Sequence, residues 1–208
     1  SATFDAQVTL IPPLTVNLGP DTSLCAGQQL LLDPGLGGIG LTWSTGATTP
    51  TITVNGTGTY SAVASNGYCS ASDTIHVVFL ALPTDQLTDA TSCITEPVAL
   101  DAGNAGAQYA WSNGANSQSI TVDAPGLYSV AITGANGCAA TYGSQVAFVE
   151  PPVVDLGQDT VLCDGQVLVL DAGNPSATHT WGTGAGTQSL NVTISGNYTV
   201  PVDNGYCT

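Results

Sequence analysis

The sequence contains no lysine and no arginine. Charged residues of any kind make up 7%, against a typical ~25% for globular chains. The formal charge of −15 excludes the cationic footprint that nucleic acid or an anionic membrane surface requires. Without lysine no Lys–Asn isopeptide cross-link can form, and trypsin-like proteases find no cleavage site. Methionine is absent, C-x-x-C is absent and histidine occurs twice, which argues against a zinc site. No apolar run approaches the ~20 residues of a membrane helix, so no membrane insertion is expected. No basic n-region opens the sequence, and no signal peptide is expected within it. Helical periodicity is missing throughout. What remains is an ordinary apolar fraction of 43% in 208 residues, enough to build cores. The polar surface must come from Ser, Thr, Asn, Gln and Gly. Six cysteines point to an oxidising compartment.

The cysteines anchor three copies of one unit. Cys25, Cys93 and Cys163 are each followed 18 residues later by a tryptophan, Trp43, Trp111 and Trp181. Tyr60, Tyr128 and Tyr198 follow each Trp by 17, and a second cysteine closes each unit at Cys69, Cys138 and Cys207. Asp21, Asp89 and Asp159 sit four before the first Cys, and Asp33, Asp101 and Asp171 eight after it. Offsets matched this often define a repeat.

Each unit reads as strands. "SITVDAPGLYSV" puts Ile120 and Val122, then Tyr128, Val130 and Ile132, on one face with a period of two. "SNGYC", "ANGC" and "DNGYC" supply Asn-Gly, a hairpin signal between the last two strands. Short strands, regular turn signals and a Cys…Trp…Cys order predict an all-β chain of three tandem immunoglobulin-like sandwiches. Small sandwiches need staples. One pair per repeat, Cys25–Cys69, Cys93–Cys138 and Cys163–Cys207, treats the three units alike and is the expectation here. Each pair would close a loop of ~44 residues, worth about 4 kcal/mol on chain-entropy reasoning, pinning one pole while the Trp fills the centre.

The two ends fit each other. Fourteen residues run from Cys69 to Pro83 and from Cys138 to Pro152, whereas only Thr208 follows Cys207. Placing "SATFDAQVTLIPP" after Thr208 restores 14 residues to Pro13, and the first-Cys spacings become 68, 70 and 70. The expected division is therefore 1–13 as the last strand of a preceding or neighbouring sandwich, then domains at 14–83, 84–152 and 153–208. The third lacks its final strand. Phe4, Ala6, Val8 and Leu10 would form the joining strand, against an acceptor region of Tyr198, Val200, Cys207 and Thr208. Two arrangements satisfy the spacing: a period of a longer tandem chain, or subunits that donate a strand to a neighbour. The expected partner in either is the protein itself, head to tail.

Over "LGPDTSLCAGQQLLLD", "LDAGN", "WSTGAT" and "WSNGAN", and "G-Y-V…NGC", the chain resembles the Ig/PKD-like tandem repeats of secreted Bacteroidota surface proteins of the adhesin and gliding-associated type, exported by the type IX route. The pattern spans all three units, although the second lacks the "LGxDT" opening and the third has "WGTGAG". The resemblance implies an extracellular spacer, fibre or adhesive stalk. It also implies O-glycosylation at Asp-Thr-aliphatic triplets, here Thr74 and Thr160.

Other candidate chemistry is sparse. Trp43, Trp111 and Trp181, with Tyr60, Tyr128 and Tyr198, read as core. The Trp could alternatively form a sugar-stacking platform. Tyr68 and Tyr206 beside the Asn-Gly turns are candidates for exposed contacts. Asp21, Asp89 and Asp159 are weak calcium candidates, and no EF-hand spacing accompanies them. Asn55, Asn191 and Asn197 lie in N-x-[ST] sequons. His179 reads as a partly buried core residue and His76 as solvated. No Ser–His–Asp or Cys–His grouping supports catalysis, and no cofactor is expected. The sequence thus predicts a structural repeat of an extracellular filament or adhesin shaft. The competing reading is a carbohydrate-binding array or the stalk of a surface enzyme.

Overall fold

The computed structural model describes residues 2–37 and 39–208; residue 1 of the 1–13 segment lies outside them. Among the described residues there is no helix, so none is long and apolar enough to cross a membrane. The first repeat forms β1 (Thr22–Cys25), β2 (Leu30–Leu32), β3 (Gly40–Trp43), β4 (Ile52–Val54), β5 (Gly58–Ser65) and β6 (Ser70–Leu80). They make a four-stranded sheet in the order β1-β6-β5-β3 and a two-stranded sheet of β2 and β4. The second repeat forms β7 (Ala90–Cys93), β8 (Val98–Asp101), β9 (Gln108–Trp111), β10 (Ser119–Val122), β11 (Gly126–Thr133) and β12 (Ala139–Val149). Its sheets have the same order, β7-β12-β11-β9 and β10-β8.

In both repeats the first strand runs parallel to the last, and every other pairing is antiparallel. Side chains alternate along each strand, so one face of each sheet turns inward. Leu32 and Val54 from the small sheet join Leu41, Trp43, Ala62, Ile75 and Val77 from the large one in a single core. Leu100 and Val122 meet Trp111, Val130, Ile132 and Val146 in the same way. Trp43 and Trp111 end the third strand of their repeats, buried between the sheets, and the indole N–H of these and of Trp181 donates to a backbone carbonyl six residues on, Thr49, Ser117 or Thr187. Tyr60, Tyr128 and Tyr198 are half-buried, and each hydroxyl donates to the carbonyl four residues back. Two facing sheets, a third-strand Trp and this tyrosine corner make the chain an all-β, immunoglobulin-like protein.

The third repeat carries only part of this pattern. β13 (Leu168–Asp171) pairs with β15 (Ser189–Val192), and β14 (Thr178–His179) with β16 (Val202–Asp203). A third core gathers around Trp181 from Leu170, Ala172, Val192 and Val202. Residues 160–163, equivalent to β1 and β7, form no strand. The reason is topological. β1 and β7 bond only to the long sixth strand, β6 or β12, and no sixth strand stands beside 160–163.

The chain divides into two compact units. One runs to Pro83 and takes in Asn136–Cys138; the other comprises Thr84–Ala135 and Ala139–Thr208. Within the second, the "LDAGN" motif turns the chain sharply: Gly103 and Asn104 both have positive φ, 59° and 54°, where asparagine is among the few tolerated side chains. The Asn104 amide then donates to the carbonyls of Thr84 and Ala102. Asn174 does the same for Val153 and Ala172.

Candidate joining surface and cysteine pairing

The cysteines do not pair within repeats. Cys25 bonds Cys138 and Cys93 bonds Cys207, while Cys69 and Cys163 are free. The expected pairs Cys25–Cys69, Cys93–Cys138 and Cys163–Cys207 are all overturned, and the parallel first strand explains why. Cys25 pairs in register with Leu80, the last residue of β6, and Cys93 with Val149, the last of β12. Cys69 immediately precedes β6, an 11-residue strand, which spans roughly 35 Å. The two cysteines of one repeat therefore occupy opposite poles. A disulfide tolerates a Cα separation of only about 7 Å. Each bond instead links the first cysteine of one repeat to the second cysteine of the next.

The turn that carries the second cysteine is built the same way in the first and third repeats, and in the second the Cys138 amide donates to Asn136 Oδ1 two residues back, at 3.1 Å. In the first repeat the amides of Tyr68 and Cys69 donate to Asn66 Oδ1, at 3.0 and 2.8 Å. In the third, Tyr206 and Cys207 donate to Asn204 Oδ1 at the same distances. Gly67, Gly137 and Gly205 supply the left-handed residue of the Asn-Gly turn. The free amide of the asparagine acts as a clamp: Asn136 Nδ2 donates to Ala81 O and Asn204 Nδ2 to Glu150 O, both at 2.9 Å. Both acceptors lie just past the end of the preceding repeat's sixth strand. Sequence reasoning missed these clamps, although the Asn recurs in all three turns.

The first-cysteine loops are also alike. The Cys25 amide donates to Gln28 Oε1 and the Cys163 amide to Gln166 Oε1, both at 2.8 Å. The Gln28 and Gln166 amides return a bond to the Cys carbonyl at 3.1 Å.

Residues 2–13 form no strand and are exposed, with Phe4 at 94%, Val8 at 82% and Leu10 at 90%. Residues 6–25, "AQVTLIPPLTVNLGPDTSLC", align without a gap to 144–163, "SQVAFVEPPVVDLGQDTVLC", with ten identities. Val8 corresponds to the fully buried Val146, Leu10 to Phe148 and Phe4 to Tyr142, of which the last two pack on the second core. On the acceptor side, Tyr198 and Val200 pack on the third core and Cys207 is buried in its disulfide, while Thr208 is exposed. Val161 and Leu162 lie exposed next to the free Cys163.

The acidic candidates have structural partners. Asp21 Oδ1 accepts the His76 amide and Asp89 Oδ1 the Gln145 amide, both at 2.8 Å, tying the first strand to the sixth. Asp33, Asp101 and Asp171 accept the amide two residues on, in turns. The Gln118 side chain, then the Gly103 amide, hold the Asp101 carboxyl below its ordinary range. Gln188 and Gly173 do so for Asp171, and the Leu18 and Thr74 amides for Asp73. No group of three or more His, Cys, Asp or Glu able to hold a metal occurs among the described residues.

His179 is buried, with Nε2 at 2.9 Å from the Gly173 carbonyl. It occupies the place of Tyr109, whose hydroxyl donates to the Gly103 carbonyl at 2.6 Å. His76 is exposed beside Thr59, with Nδ1 at 3.1 Å from its hydroxyl. Asn55, Asn191, Asn197, Thr74 and Thr160 are all exposed.

No family model matches the chain, and no curated protein matches it. Several solved structures align with it at low similarity. Extracellular domains 3–5 of Drosophila OTK align at 12% identity over 93% of this chain and 92% of that one, with a TM-score of 0.40. An I-band fragment of titin aligns at 16% identity over 94% and 89%, TM-score 0.37. The IG1+IG2 portion of DIP-gamma aligns at 11% identity over 65% and 97%, TM-score 0.36. The fold class rests on the strand order, the buried Trp and the tyrosine corner.

Proposed function

We propose that the chain is the structural repeat of an extracellular filament or adhesin shaft, assembled head to tail by strand completion. In this reading residues 4–10 of one copy enter the third sandwich of another as its sixth strand. The observation that carries it is the ungapped match of 6–25 to 144–163, together with the missing sixth strand of the third repeat. The second repeat supplies the register. Ser144 and Val146 face Tyr128 and Gly126, and Val146 faces Ala90 in the parallel ladder. The equivalent contacts bring Phe4 opposite Val200, Ala6 opposite Tyr198 and Val8 opposite Gly196, with Thr160 to Cys163 forming the parallel first strand. Phe4, Ala6, Val8 and Leu10 then share the inward face, and Asp159 meets the Gln7 amide as Asp89 meets that of Gln145. In a covalent tandem array one extra residue would fall between Cys207 and Phe4 relative to the second repeat, which a β-bulge absorbs.

Strand addition suits such a surface, because an unpaired strand edge over an open core is otherwise an aggregation site. Disulfides support an oxidising, extracellular setting. Burial of Trp43, Trp111 and Trp181 removes the sugar-stacking platform that a carbohydrate-binding reading would use. The exposed Thr and Asn acceptors leave room for glycans on the shaft. A covalent tandem array delivers the same segment to the same groove through the chain.

The test compares the 208-residue chain with a variant lacking residues 1–13. Light scattering should show concentration-dependent association of the full chain and a monomer for the variant. A synthetic peptide of residues 2–13 should bind the variant and protect the amides of 198–202, Pro201 excepted, from hydrogen exchange. A full chain that stays monomeric with 198–202 unprotected sinks the reading. A monomer in which those amides are protected means the segment closes on its own chain.

A further inference from the structure

We infer that Cys163 of one copy forms a disulfide with Cys69 of the copy that follows it, so that the joint made by strand completion is covalently locked. The inference rests on the head-to-tail reading above, and four observations within the chain point to it.

The first is the pairing rule. Both bonds run from the first cysteine of a repeat to the second cysteine of the next repeat, at separations of 113 and 114 residues. The same rule leaves two cysteines without partners in one copy: the second cysteine of the first repeat and the first cysteine of the last. Those are Cys69 and Cys163, the two free thiols. Counting on from Cys163, 45 residues reach Thr208 and 69 more reach Cys69 of a following copy. That separation is again 114.

The second is local geometry. Cys69 sits in an Asn-capped turn that matches the turn of the paired Cys207 bond for bond. Cys163 sits in a Gln-capped loop that matches the loop of the paired Cys25. Each free thiol is thus presented by the same local structure as a cysteine that is already bonded.

The third is exposure. Cys138, Cys207 and Cys93 are buried in their bonds and the bonded Cys25 is half-buried, as is Cys69, whereas Cys163 is exposed. The tyrosine beside each turn follows suit. Tyr206 is 52% exposed and lines a shallow cleft with Cys93, Thr95, Glu96 and Pro151; its counterpart Tyr68 is 84% exposed. The first-repeat pole shows the surface that the third-repeat pole covers.

The fourth is placement by the joining strand. Cys25 and Cys93 are held at the end of the sixth strand by parallel pairing with Leu80 and Val149. When residues 4–10 of the following copy supply that strand, Cys163 comes to lie opposite Ile11 of the same copy that brings Cys69. Strand completion therefore delivers the thiol and its partner together.

The chemistry is thiol–disulfide exchange. One thiolate attacks a small-molecule or protein disulfide and expels one of its thiolates, the other cysteine's thiolate attacks the resulting mixed disulfide and expels the second, and the S–S bond between Cys163 and Cys69 forms. The two cysteine thiols give up two electrons and two protons, and the disulfide that was attacked is reduced to two thiols.

The test uses the full 208-residue chain oxidised with glutathione disulfide, then read on a denaturing gel without reductant. Wild type should give a ladder of covalent multimers that collapses to monomer on reduction. Cys69→Ser and Cys163→Ser should each give monomer alone on that gel while still associating under native conditions. Mixed together, they should give covalent dimers and nothing larger, because a single Cys163–Cys69 bond is available. Native assemblies in which both thiols stay free to alkylation overturn the lock but leave strand completion standing. Dimers from either variant by itself mean like-to-like pairing and also overturn it. Absence of native association in wild type overturns the head-to-tail reading and this inference with it.

Discussion

Cys25 pairs in register with Leu80, at the far end of the strand that begins right after Cys69. That single relationship decides the covalent map of the chain, because the parallel first strand carries its cysteine away from the one in its own repeat. Unreduced cleavage at Asp, followed by mass analysis, should therefore yield cross-linked peptides joining Cys25 to Cys138 and Cys93 to Cys207. Recovery of a Cys25–Cys69 peptide would contradict the pairing. On chain-entropy reasoning a loop of this length contributes about 5 kcal/mol, so Cys138→Ser should lower the thermal midpoint clearly, with Cys25 becoming alkylatable.

The carboxylates that bridge first and sixth strands divide into two classes. Asp89→Ala removes the acceptor of the Gln145 amide and should cost about 1 kcal/mol of unfolding free energy, read by denaturant titration. Asp159→Ala should leave the isolated chain's stability unchanged, yet weaken head-to-tail association several-fold in light scattering. Equal loss of stability from both variants would show that Asp159 already has a partner within one copy.

Trp111→Ala should destabilise by about 3–5 kcal/mol, since a large fully buried side chain is lost and a cavity left. Trp111→Phe keeps most of the packing but leaves the Ser117 carbonyl without its indole donor. It should cost about 2 kcal/mol. Chemical denaturation followed by circular dichroism separates the two.

His179 stands where the second repeat has Tyr109, and both reach the carbonyl of a glycine six residues back. His179→Tyr should therefore be neutral within about 1 kcal/mol. His179→Leu strands the Gly173 carbonyl and should cost about 1–3 kcal/mol. If Leu is tolerated as well as Tyr in thermal melts, the hydrogen bond contributes nothing.

Asp101, Asp171 and Asp73 have carboxyls held below the ordinary value of 3.8. A depressed folded-state pKa contributes stability above the unfolded value, and that contribution disappears as pH falls through the folded value. The thermal midpoint should hold above about pH 5 and decline below about pH 4. Gln118→Ala removes the leading cause of the Asp101 shift and should shallow that decline. A midpoint that rises steadily down to pH 2.5 would mean that relief of acidic self-repulsion outweighs these bonds.

Strand periodicity and fixed offsets made the repeat, the all-β class and the core positions legible, because both are local properties of the sequence. Val130 and Ile132 alternate onto one face whatever the rest of the chain does. The poles were not legible. Which end of a sandwich Cys25 occupies depends on parallel pairing with residues some 55 positions away, and neither periodicity nor spacing encodes direction. The roles of Asp21 and Asp89 were hidden for the same reason, since their amide donors lie on the distant sixth strand. The Asn clamps were visible as recurring letters, but their acceptors belong to a neighbouring repeat. One available signal was the ungapped match of 6–25 to 144–163, which places the sixth strand and the first cysteine in one segment.

The staggered disulfides have a mechanical consequence. With both bonds intact, the shortest covalent route from Cys25 to Cys207 crosses to Cys138, runs back along the backbone to Cys93 and crosses to Cys207, so that only 45 residues of backbone lie in the path. Breaking either bond leaves a route of 68 or 69 residues, so the first reduction releases about 23 residues, on the order of 80 Å at full extension. Breaking the second leaves the bare backbone and releases about 113 more, on the order of 400 Å. Such a tether lengthens in two unequal steps, a short one and then a long one, and either bond alone withholds most of its reserve.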